Sequence, residues 1–412
     1  MDHLSHPENW YENQVILLLG GTGTLGGCFL YKLAGILPTK KVFVLCRGNI
    51  QRALDKIEQS MPEQSAEILA THKVNFLVGD VTKRNMALRA AELDTLREEV
   101  TVVIHCAANI SLQQELRASV TQHCVSQMLL LDLLSSFKRL QALLYLSTIY
   151  VNSFLPGGRI GEQIHELISD QDHLVLDASQ EVQSILQTET SVHASKFMVP
   201  YAYAKYLTER LTLDRKPPYT VLIVRPSHIA PAIAQPFPYY GFNMAIPMHS
   251  YLRFLLGSKE HGIDQLIAQT KNVRLISDEI PVDQAVNTCL LHLALGTQGV
   301  VHAAAALYFP YSPADVVAMF KTHVPPATQA AICNYASEQA SGQAEFFFRV
   351  LTAFPRDWIY DCSRSESLRD LQGPLGLDLG EHDPERFMQI RMERVAHQFL
   401  ETLKSAQGLG KA

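Results

Sequence analysis

One short segment near the beginning of the chain constrains its fold more than any other. The apolar run Val15–Leu19 is followed at once by Gly20-Gly21-Thr22-Gly23-Thr24-Leu25-Gly26-Gly27, and an amphipathic run then continues to Ala34. Glycines let the backbone turn with positive φ and approach a pyrophosphate, which is then held at the N-terminus of the next helix. A structural turn is the alternative, but the position directly after an apolar strand favours a dinucleotide site. The predicted contacts are Gly20, Thr22, Gly23, Thr24, Leu25 and Gly26.

Short apolar runs alternate with longer amphipathic stretches through the first 225 residues. Near-continuous apolar runs of this length are typical of strands that are buried on both faces. The runs are Val15–Leu19, Val42–Cys46, Val74–Val78, Val102–His105, Ala142–Ser147 and Val221–Val224. Helical spacing between them, as in Ala87–Leu96, Leu116–Phe137 and Ala202–Leu213, indicates strand–helix alternation. We therefore predict an α/β fold, a Rossmann-type doubly wound parallel sheet over residues 1–225, with an excursion from the sheet at 152–196.

The pattern changes after Arg225, where prolines interrupt the chain repeatedly and mainly helical spacing follows. We predict a smaller, mainly helical C-terminal region over 226–412 that binds the substrate. The prediction allows this region to return to the sheet near 273–283. Its last element is an amphipathic helix over Glu385–Leu403.

The composition excludes several classes of protein. The chain has 412 residues, of which 47% are hydrophobic and 18% charged, and its net charge is −6. This balance gives no footprint for nucleic acid. Seven scattered cysteines and sixteen histidines form no disulfide framework or metal-ligand pattern, so we expect a reducing cytoplasmic compartment and no metal. The apolar runs are too short for a spanning helix, and we expect no signal peptide. Peripheral contact with a membrane is left open.

The second strand ends without the carboxylate that usually accepts a hydrogen bond from the 2′-hydroxyl of NAD. Arg47 stands there instead, and a guanidinium can hold a 2′-phosphate, so we predict NADPH; a solvated surface arginine is the alternative. The third and fourth strands end at Asp80-Val81 and Ala107-Ala108. Because both ends open on the cofactor crevice, we assign these four residues to cofactor binding. A local cap by Asp80 and buried strand-end alanines are the alternatives.

Tyr201 and Lys205 lie four positions apart at the start of a predicted helix and so share one face. We expect the ammonium to stabilise the phenolate, to lower the pKa of Tyr201 and to hold the nicotinamide ribose. Tyr201 then donates a proton to a developing alkoxide. Thr148, at the end of the preceding strand, is our candidate for the hydroxyl that polarises the substrate carbonyl, with Ser147 as the alternate.

Taken together, the motifs resemble the extended short-chain dehydrogenase/reductase superfamily and, more narrowly, the fatty acyl-CoA reductase (male-sterility) family. The resemblance runs from Val15 to about Leu293. Besides the glycine loop and the Tyr201–Lys205 pair, it rests on Val42–Arg47, Ile104–Ala108, Leu146–Asn152, Val224–Ser227, Gln235–Tyr239 and Ile280–Asp283. The segment after Trp358 resembles the family's second domain only faintly.

The resemblance implies reduction of a fatty acyl thioester by NADPH to the fatty alcohol through the aldehyde. The thioester would be that of coenzyme A or of an acyl-carrier protein. It assigns catalysis to Tyr201, Lys205 and Thr148, and adds Pro226 and Ser227 to the cofactor site. Three alternatives stay open: a reductase that releases the aldehyde, a related enzyme for another carbonyl or alcohol, and a nucleotide-binding regulatory protein. Acyl chain length and oligomeric state are not predicted.

Overall fold

The computed structural model describes residues 6–168, 174–250, 252, 278–336 and 357–406. A seven-stranded parallel sheet forms its centre, in the order β10-β7-β5-β4-β1-β2-β3. These strands are β1 (Val15–Leu19), β2 (Lys41–Cys46), β3 (Val74–Val78), β4 (Val102–His105), β5 (Ala142–Leu146), β7 (Thr220–Pro226) and β10 (Gly299–Ala303). The order reverses between β1 and β4, so the crevice at their carboxyl ends is the expected ligand site. The predicted α/β fold is confirmed.

Helices cover both faces of this sheet and form most of the C-terminal region. They are α1 (Thr24–Tyr31), α2 (Ile50–Ser60), α3 (Gln64–Ala70), α4 (Ala90–Glu99), α5 (Leu116–Val120), α6 (Ser126–Leu134), α7 (Ala178–Thr188), α8 (Pro200–Asp214), α9 (Val282–Ala294), α10 (Pro313–His323), α11 (Pro326–Ala336), α12 (Ser363–Glu366) and α13 (Pro384–Ala406). A π turn at Lys32–Ile36 extends α1, and another at Thr121–Val125 joins α5 to α6. Short 3-10 turns occupy Pro7–Asn13, Arg84–Ala87, Ile149–Asn152, Ala194–Lys196 and Ala305–Leu307.

The last strand of the central sheet comes from the region after residue 225. The seventh strand is β10, which pairs in parallel with β7. Residues 273–277 of the expected return lie outside the described part. The next residues form β9 (Glu279–Pro281), which pairs with β8 (His228–Ala230) in a separate two-stranded sheet. Part of the region after residue 225 therefore belongs to the central sheet, while a division into two domains at this point stays a prediction.

The interior holds several apolar clusters, and three of them define the layers of the fold. One lies under α1 and α9 on one face of the sheet, and the second lies under α4 and α6 on the opposite face. The third is formed by α10, α11 and α13, with buried side chains such as Phe320 and Met392. Within the residues described, no helix is long and apolar enough to cross a membrane.

A buried arginine connects the sheet to α8 and to the 152–196 excursion. Arg225, at the end of β7, donates to both carboxylate oxygens of Glu209 on α8 at 2.9 and 2.6 Å, and both side chains are fully buried. The same guanidinium donates to the carbonyl of Gln163 at 2.9 Å. The excursion also contributes β6 (Gly158–Ile160), which pairs with β11 (Trp358–Tyr360). The loops beside the crevice are therefore held by buried contacts.

Candidate active site

The glycine loop is shaped so that backbone, and not side chain, faces the crevice. Gly20 has φ of +99°, and a Cβ there would lie 2.7 Å from the amide nitrogen of Ala107. A Cβ on Gly26 would lie only 1.9 Å from the carbonyl oxygen of Gly20. These glycines bring α1 directly against the end of β1, while Gly23 and Thr24 stay exposed at the helix N-terminus. Such a cradle fits a dinucleotide pyrophosphate.

The two charged residues proposed for the adenosine end are in different situations. Arg47 is exposed immediately after β2, beside Gly48 with φ of +88°. Asp80 follows β3, and its Oδ1 accepts from both the amide and the hydroxyl of Thr82 at 2.9 Å. One carboxylate oxygen of Asp80 therefore stabilises a local turn, which was the alternative interpretation.

Four other residues assigned to the cofactor site are small or apolar. Val81 packs at the edge of the cluster under α4 and α6, Ala107 is half-buried beside Gly20, and Ala108 is exposed. Leu25 is half-buried in the first turn of α1. The carboxyl ends of β1, β3 and β4 thus border an open crevice with little side-chain bulk.

Lys205 lies on α8 with its side chain buried against the end of β5. Its ammonium donates to the hydroxyl of Tyr145 at 3.0 Å and to the carbonyl of Leu146 at 2.7 Å. It also lies 4.5 Å from the centre of the Tyr145 ring. Burial lowers the pKa of Lys205 to about 8, while the carboxylate of Glu209 opposes that change. The ammonium is therefore held in place by two oxygens from β5.

Tyr201 is one turn earlier on α8 and half-buried. Burial raises the pKa of its phenol, opposite to the expected direction. The Tyr201 ring meets the His123 ring edge to face, with centroids 5.2 Å apart. At neutral pH the phenol thus carries its proton, which is the state that a proton donor requires.

The two candidate hydroxyls after β5 differ in what they bind. Thr148 Oγ1 accepts from the amide of Tyr150 at 3.3 Å and so caps the 3-10 turn that follows. Ser147 is buried, and its hydroxyl has no hydrogen-bond partner among the described residues. Both hydroxyls lie at the same strand end as Leu146, whose carbonyl binds Lys205. The hydroxyl of Ser147, the alternate candidate, therefore makes fewer hydrogen bonds among the described residues than that of Thr148.

The end of β7 completes the edge of the crevice. Pro226 and Ser227 are buried, and the amide of Ser227 donates to the carbonyl of Ala303 on β10 at 2.9 Å. The next residue, His228, lies 3.2 Å from the hydroxyl of Tyr150 through its Nδ1. Burial lowers the pKa of His228 to about 4, so its ring is neutral at physiological pH.

Sequence reasoning missed two residues that contact the predicted pair, namely Tyr145 and His123. Tyr145 stands inside an apolar strand, where an aromatic residue is ordinary, and no motif marks His123. The one available signal for Tyr145 is its place two residues before Ser147, at the carboxyl end of a predicted strand. Among the residues that the structure describes, no three His, Cys, Asp or Glu side chains are grouped as metal ligands.

The parallel sheet, the glycine cradle at the reversal of strand order and the buried Tyr-x-x-x-Lys face of α8 define a Rossmann-type nucleotide-binding domain of the short-chain dehydrogenase/reductase kind. Residues 18–289 match the family described as male sterility protein, and the chain belongs to this family.

Relatives agree with this assignment. Fatty acyl-CoA reductase 1 of Xenopus laevis is 26% identical over 301 residues, which cover 70% of this chain and 55% of the relative. Fatty acyl-CoA reductase 2 of Mus musculus is also 26% identical over 301 residues, with 71% and 56% covered. The match therefore spans little more than half the length of these relatives.

Solved structures share the fold at low identity. The terminal R domain from the myxalamid PKS-NRPS biosynthetic pathway is 15% identical with a TM-score of 0.62, over 97% of this chain and 92% of that domain. The reductase (R) domain of a non-ribosomal peptide synthetase from Mycobacterium tuberculosis is 14% identical with a TM-score of 0.60, over 99% and 96%. Both likenesses concern the fold alone.

Proposed function

We propose that this protein is an NADPH-dependent reductase of a fatty acyl thioester, with acyl-CoA as the first substrate to test, and that it forms the fatty alcohol through the aldehyde. The observation that carries the proposal is the Lys205 ammonium, fixed by Tyr145 and Leu146 on the helix face that also presents the protonated Tyr201. Membership of the male sterility family and the names of the relatives support the substrate class.

The residues of the crevice have separable tasks in this proposal. The glycine cradle would hold the pyrophosphate, and Arg47 would bind the 2′-phosphate through charge-assisted hydrogen bonds. When bound, NADPH supplies the hydride for the carbonyl carbon. In the first reduction the hydroxyl of Tyr201 would stabilise the oxyanion formed by hydride addition, and collapse of this adduct would break the C–S bond, release the thiolate and leave the aldehyde. In the second reduction, by a second NADPH, Tyr201 would donate its proton to the aldehyde oxygen to give the alcohol, and the Lys205 ammonium would stabilise the negative charge left on the phenol.

A second hydroxyl would share the charge on the carbonyl oxygen. Thr148 is the proposed donor, with Ser147 as the alternative, because both follow β5 next to the carbonyl that binds Lys205. A Thr148→Val variant and a Ser147→Ala variant separate the two, since only loss of the true donor should lower kcat strongly. Removal of one such donor typically costs about 100- to 1000-fold in kcat.

The decisive experiment measures NADPH consumed per thiol released with purified protein and palmitoyl-CoA, for the wild type and for Tyr201→Phe. A ratio near two supports reduction to the alcohol, whereas a ratio near one with trapped aldehyde supports a reductase that stops there. Tyr201→Phe should abolish turnover and leave NADPH binding nearly intact. Turnover retained by Tyr201→Phe would contradict the assignment of the acid.

Absence of thiol release would contradict a thioester substrate if it extends to acyl chains of several lengths and to acyl-carrier protein. Such a protein, if it still binds NADPH, would then be tested with aldehydes and secondary alcohols. The carrier-protein arm also separates the two thiol carriers, because coenzyme A and a carrier protein present the same thioester on different partners.

A further inference from the structure

A histidine that no motif marks lies between the cofactor crevice and the proposed acid. His123 is in the π turn at Thr121–Val125, where the α5–α6 helix widens for one turn. Such π turns inside helices are frequent at functional sites. The neighbouring residue fixes this turn onto α8, since the thiol of Cys124 contacts the carbonyl of Ala204 at 3.3 Å. The π turn therefore faces the helix that carries Tyr201 and Lys205.

The protonation of His123 follows from its contacts. Its Nε2 lies 3.1 Å from the carbonyl oxygen of Asn109, and because a carbonyl can only accept, Nε2 carries the hydrogen. Burial and the nearby Lys205 ammonium lower the pKa of His123 to about 3, so the ring is neutral. One tautomer is thus selected, with the hydrogen on Nε2 and a lone pair on Nδ1.

The His123 ring also restrains the proposed acid. It meets the Tyr201 ring edge to face at 76°, with centroids 5.2 Å apart, and only 6% of its surface is exposed. Asn109 follows Ala107 and Ala108, so the same ring joins the loop after β4 to the phenol. A protonated ring here would place a second positive charge near Lys205.

We propose that His123 is a positioning residue, which holds the Tyr201 phenol and the Ala107–Asn109 loop in one fixed arrangement for proton transfer. This inference rests on the proposed function of Tyr201. Misplacement of a reacting group by about 1 Å can cost about 100-fold in rate, so the contribution of His123 should be visible in kcat and not in cofactor affinity.

Two variants separate the ring from its hydrogen bond. His123→Phe keeps an aromatic ring and loses the donor to Asn109, whereas His123→Gln keeps a donor and loses the ring. Each is compared with His292→Gln, the matched control. His292 is another buried histidine and lies on α9. Its two ring nitrogens are hydrogen-bonded to the hydroxyls of Thr297 and Ser365 at 3.0 and 2.9 Å.

The measurements are kcat and KM for the acyl thioester, the Kd for NADPH and the thermal midpoint, with kcat normalised to the fraction that binds NADPH. We expect both His123 variants to lose about 10- to 100-fold in kcat with KM and Kd little changed. The control should lose thermal stability and keep its kcat.

Any other result for these variants contradicts the inference that His123 is a positioning residue. Normal kcat in both variants, a loss confined to KM or Kd, or failure of both to bind NADPH stoichiometrically would leave His123 with a structural role only. An equal loss of kcat in His292→Gln would do the same. Wild-type and Tyr201→Phe proteins are assayed alongside, because an inactive wild type or an active Tyr201→Phe would refute the proposed function itself.

Discussion

Removal of a single hydroxyl, in Tyr145→Phe, should move the pH dependence of the reaction in a calculable direction. The hydroxyl of Tyr145 accepts from the Lys205 ammonium at 3.0 Å in a fully buried setting. A hydrogen bond to a charged group contributes about 1.5–3 kcal/mol. Because this bond is made to the protonated lysine, its loss favours proton release. At 1.36 kcal/mol per pH unit, the pKa of Lys205 should fall by about one to two from its value of about 8.

The consequence for turnover follows from the required charge. In the proposed mechanism Lys205 acts while protonated, so activity declines as the pH rises through its pKa. At pH 8 the wild type keeps about half of its lysine protonated, and Tyr145→Phe about 1–10%, which corresponds to a loss of about 5- to 50-fold. At pH 6 the difference should shrink to about twofold or less. The assay is kcat/KM for the acyl thioester from pH 5.5 to 9.5.

Tyr203→Phe is the matched control for this experiment. Its hydroxyl also bonds a neighbouring side chain, Glu181 at 2.7 Å, and it lies on the same helix as Lys205. The control should lose stability without moving the alkaline limb. An unmoved limb in Tyr145→Phe, or a limb moved to higher pH, would refute the argument that the Tyr145 hydroxyl stabilises the lysine charge.

Three further changes test the cofactor site and the buried ion pair. Arg47→Ala should weaken NADPH binding about 10- to 100-fold and leave NADH binding nearly unchanged, with both Kd values measured by fluorescence titration. An equal loss of affinity for both cofactors would refute the assignment of Arg47 to the 2′-phosphate. Gly26→Ala must displace the backbone of Gly20 and should cost about 1–3 kcal/mol of stability together with NADPH affinity. Its control is Gly35→Ala, where the nearest atom is 4.0 Å away. Arg225→Met should lower the free energy of unfolding in urea by about 3–5 kcal/mol because it leaves a buried, unpaired Glu209, and the combined change with Glu209→Leu should recover most of that loss.

The inner strands of the sheet were predictable because burial on both faces imposes one composition. Val15–Leu19 and Val102–His105 are buried throughout and end where the apolar runs end, and the half-exposed edge strand Val74–Val78 has the predicted bounds as well. β10 was not predicted because its short apolar run contains the polar residue His302, which is buried with hydrogen-bond partners. The amide of His302 donates to Glu162 at 2.8 Å, and its Nδ1 lies 2.8 Å from the carbonyl of Asp361. Both partners are distant in sequence, so no local pattern reveals them.

The helix that carries Tyr201 and Lys205 was also predictable, but the partner of the lysine was not. Four-residue spacing places the two side chains on one face, which the structure has. Spacing along one helix gives no information on which side chain a neighbouring strand presents. The Lys205 ammonium donates to the hydroxyl of Tyr145, which β5 presents to α8. The pKa of Tyr201 is raised by burial.

The proline-rich segment after β8 is fixed by contacts that the composition did not predict. The carboxylate of Asp283 accepts from the amides of Ile233, Ala234 and Gln235 at 2.8 to 3.1 Å, which fixes this stretch of backbone. Further along, the hydroxyl of Tyr240 donates to the carbonyl of Thr24 at 3.0 Å, in the first turn of the helix after the glycine loop.

The residue before Tyr240 faces the other way. Tyr239 stacks on Phe387 of α13 with centroids 4.7 Å apart and lies in the C-terminal cluster. Adjacent side chains therefore enter two different cores, one beneath the proposed cofactor cradle and one in the region proposed to bind the substrate. Because Tyr240 is hydrogen-bonded to the carbonyl of Thr24, a shift of the glycine loop must move this segment or break that hydrogen bond. A short run of backbone, which Asp283 holds in place, thus connects the two proposed binding regions.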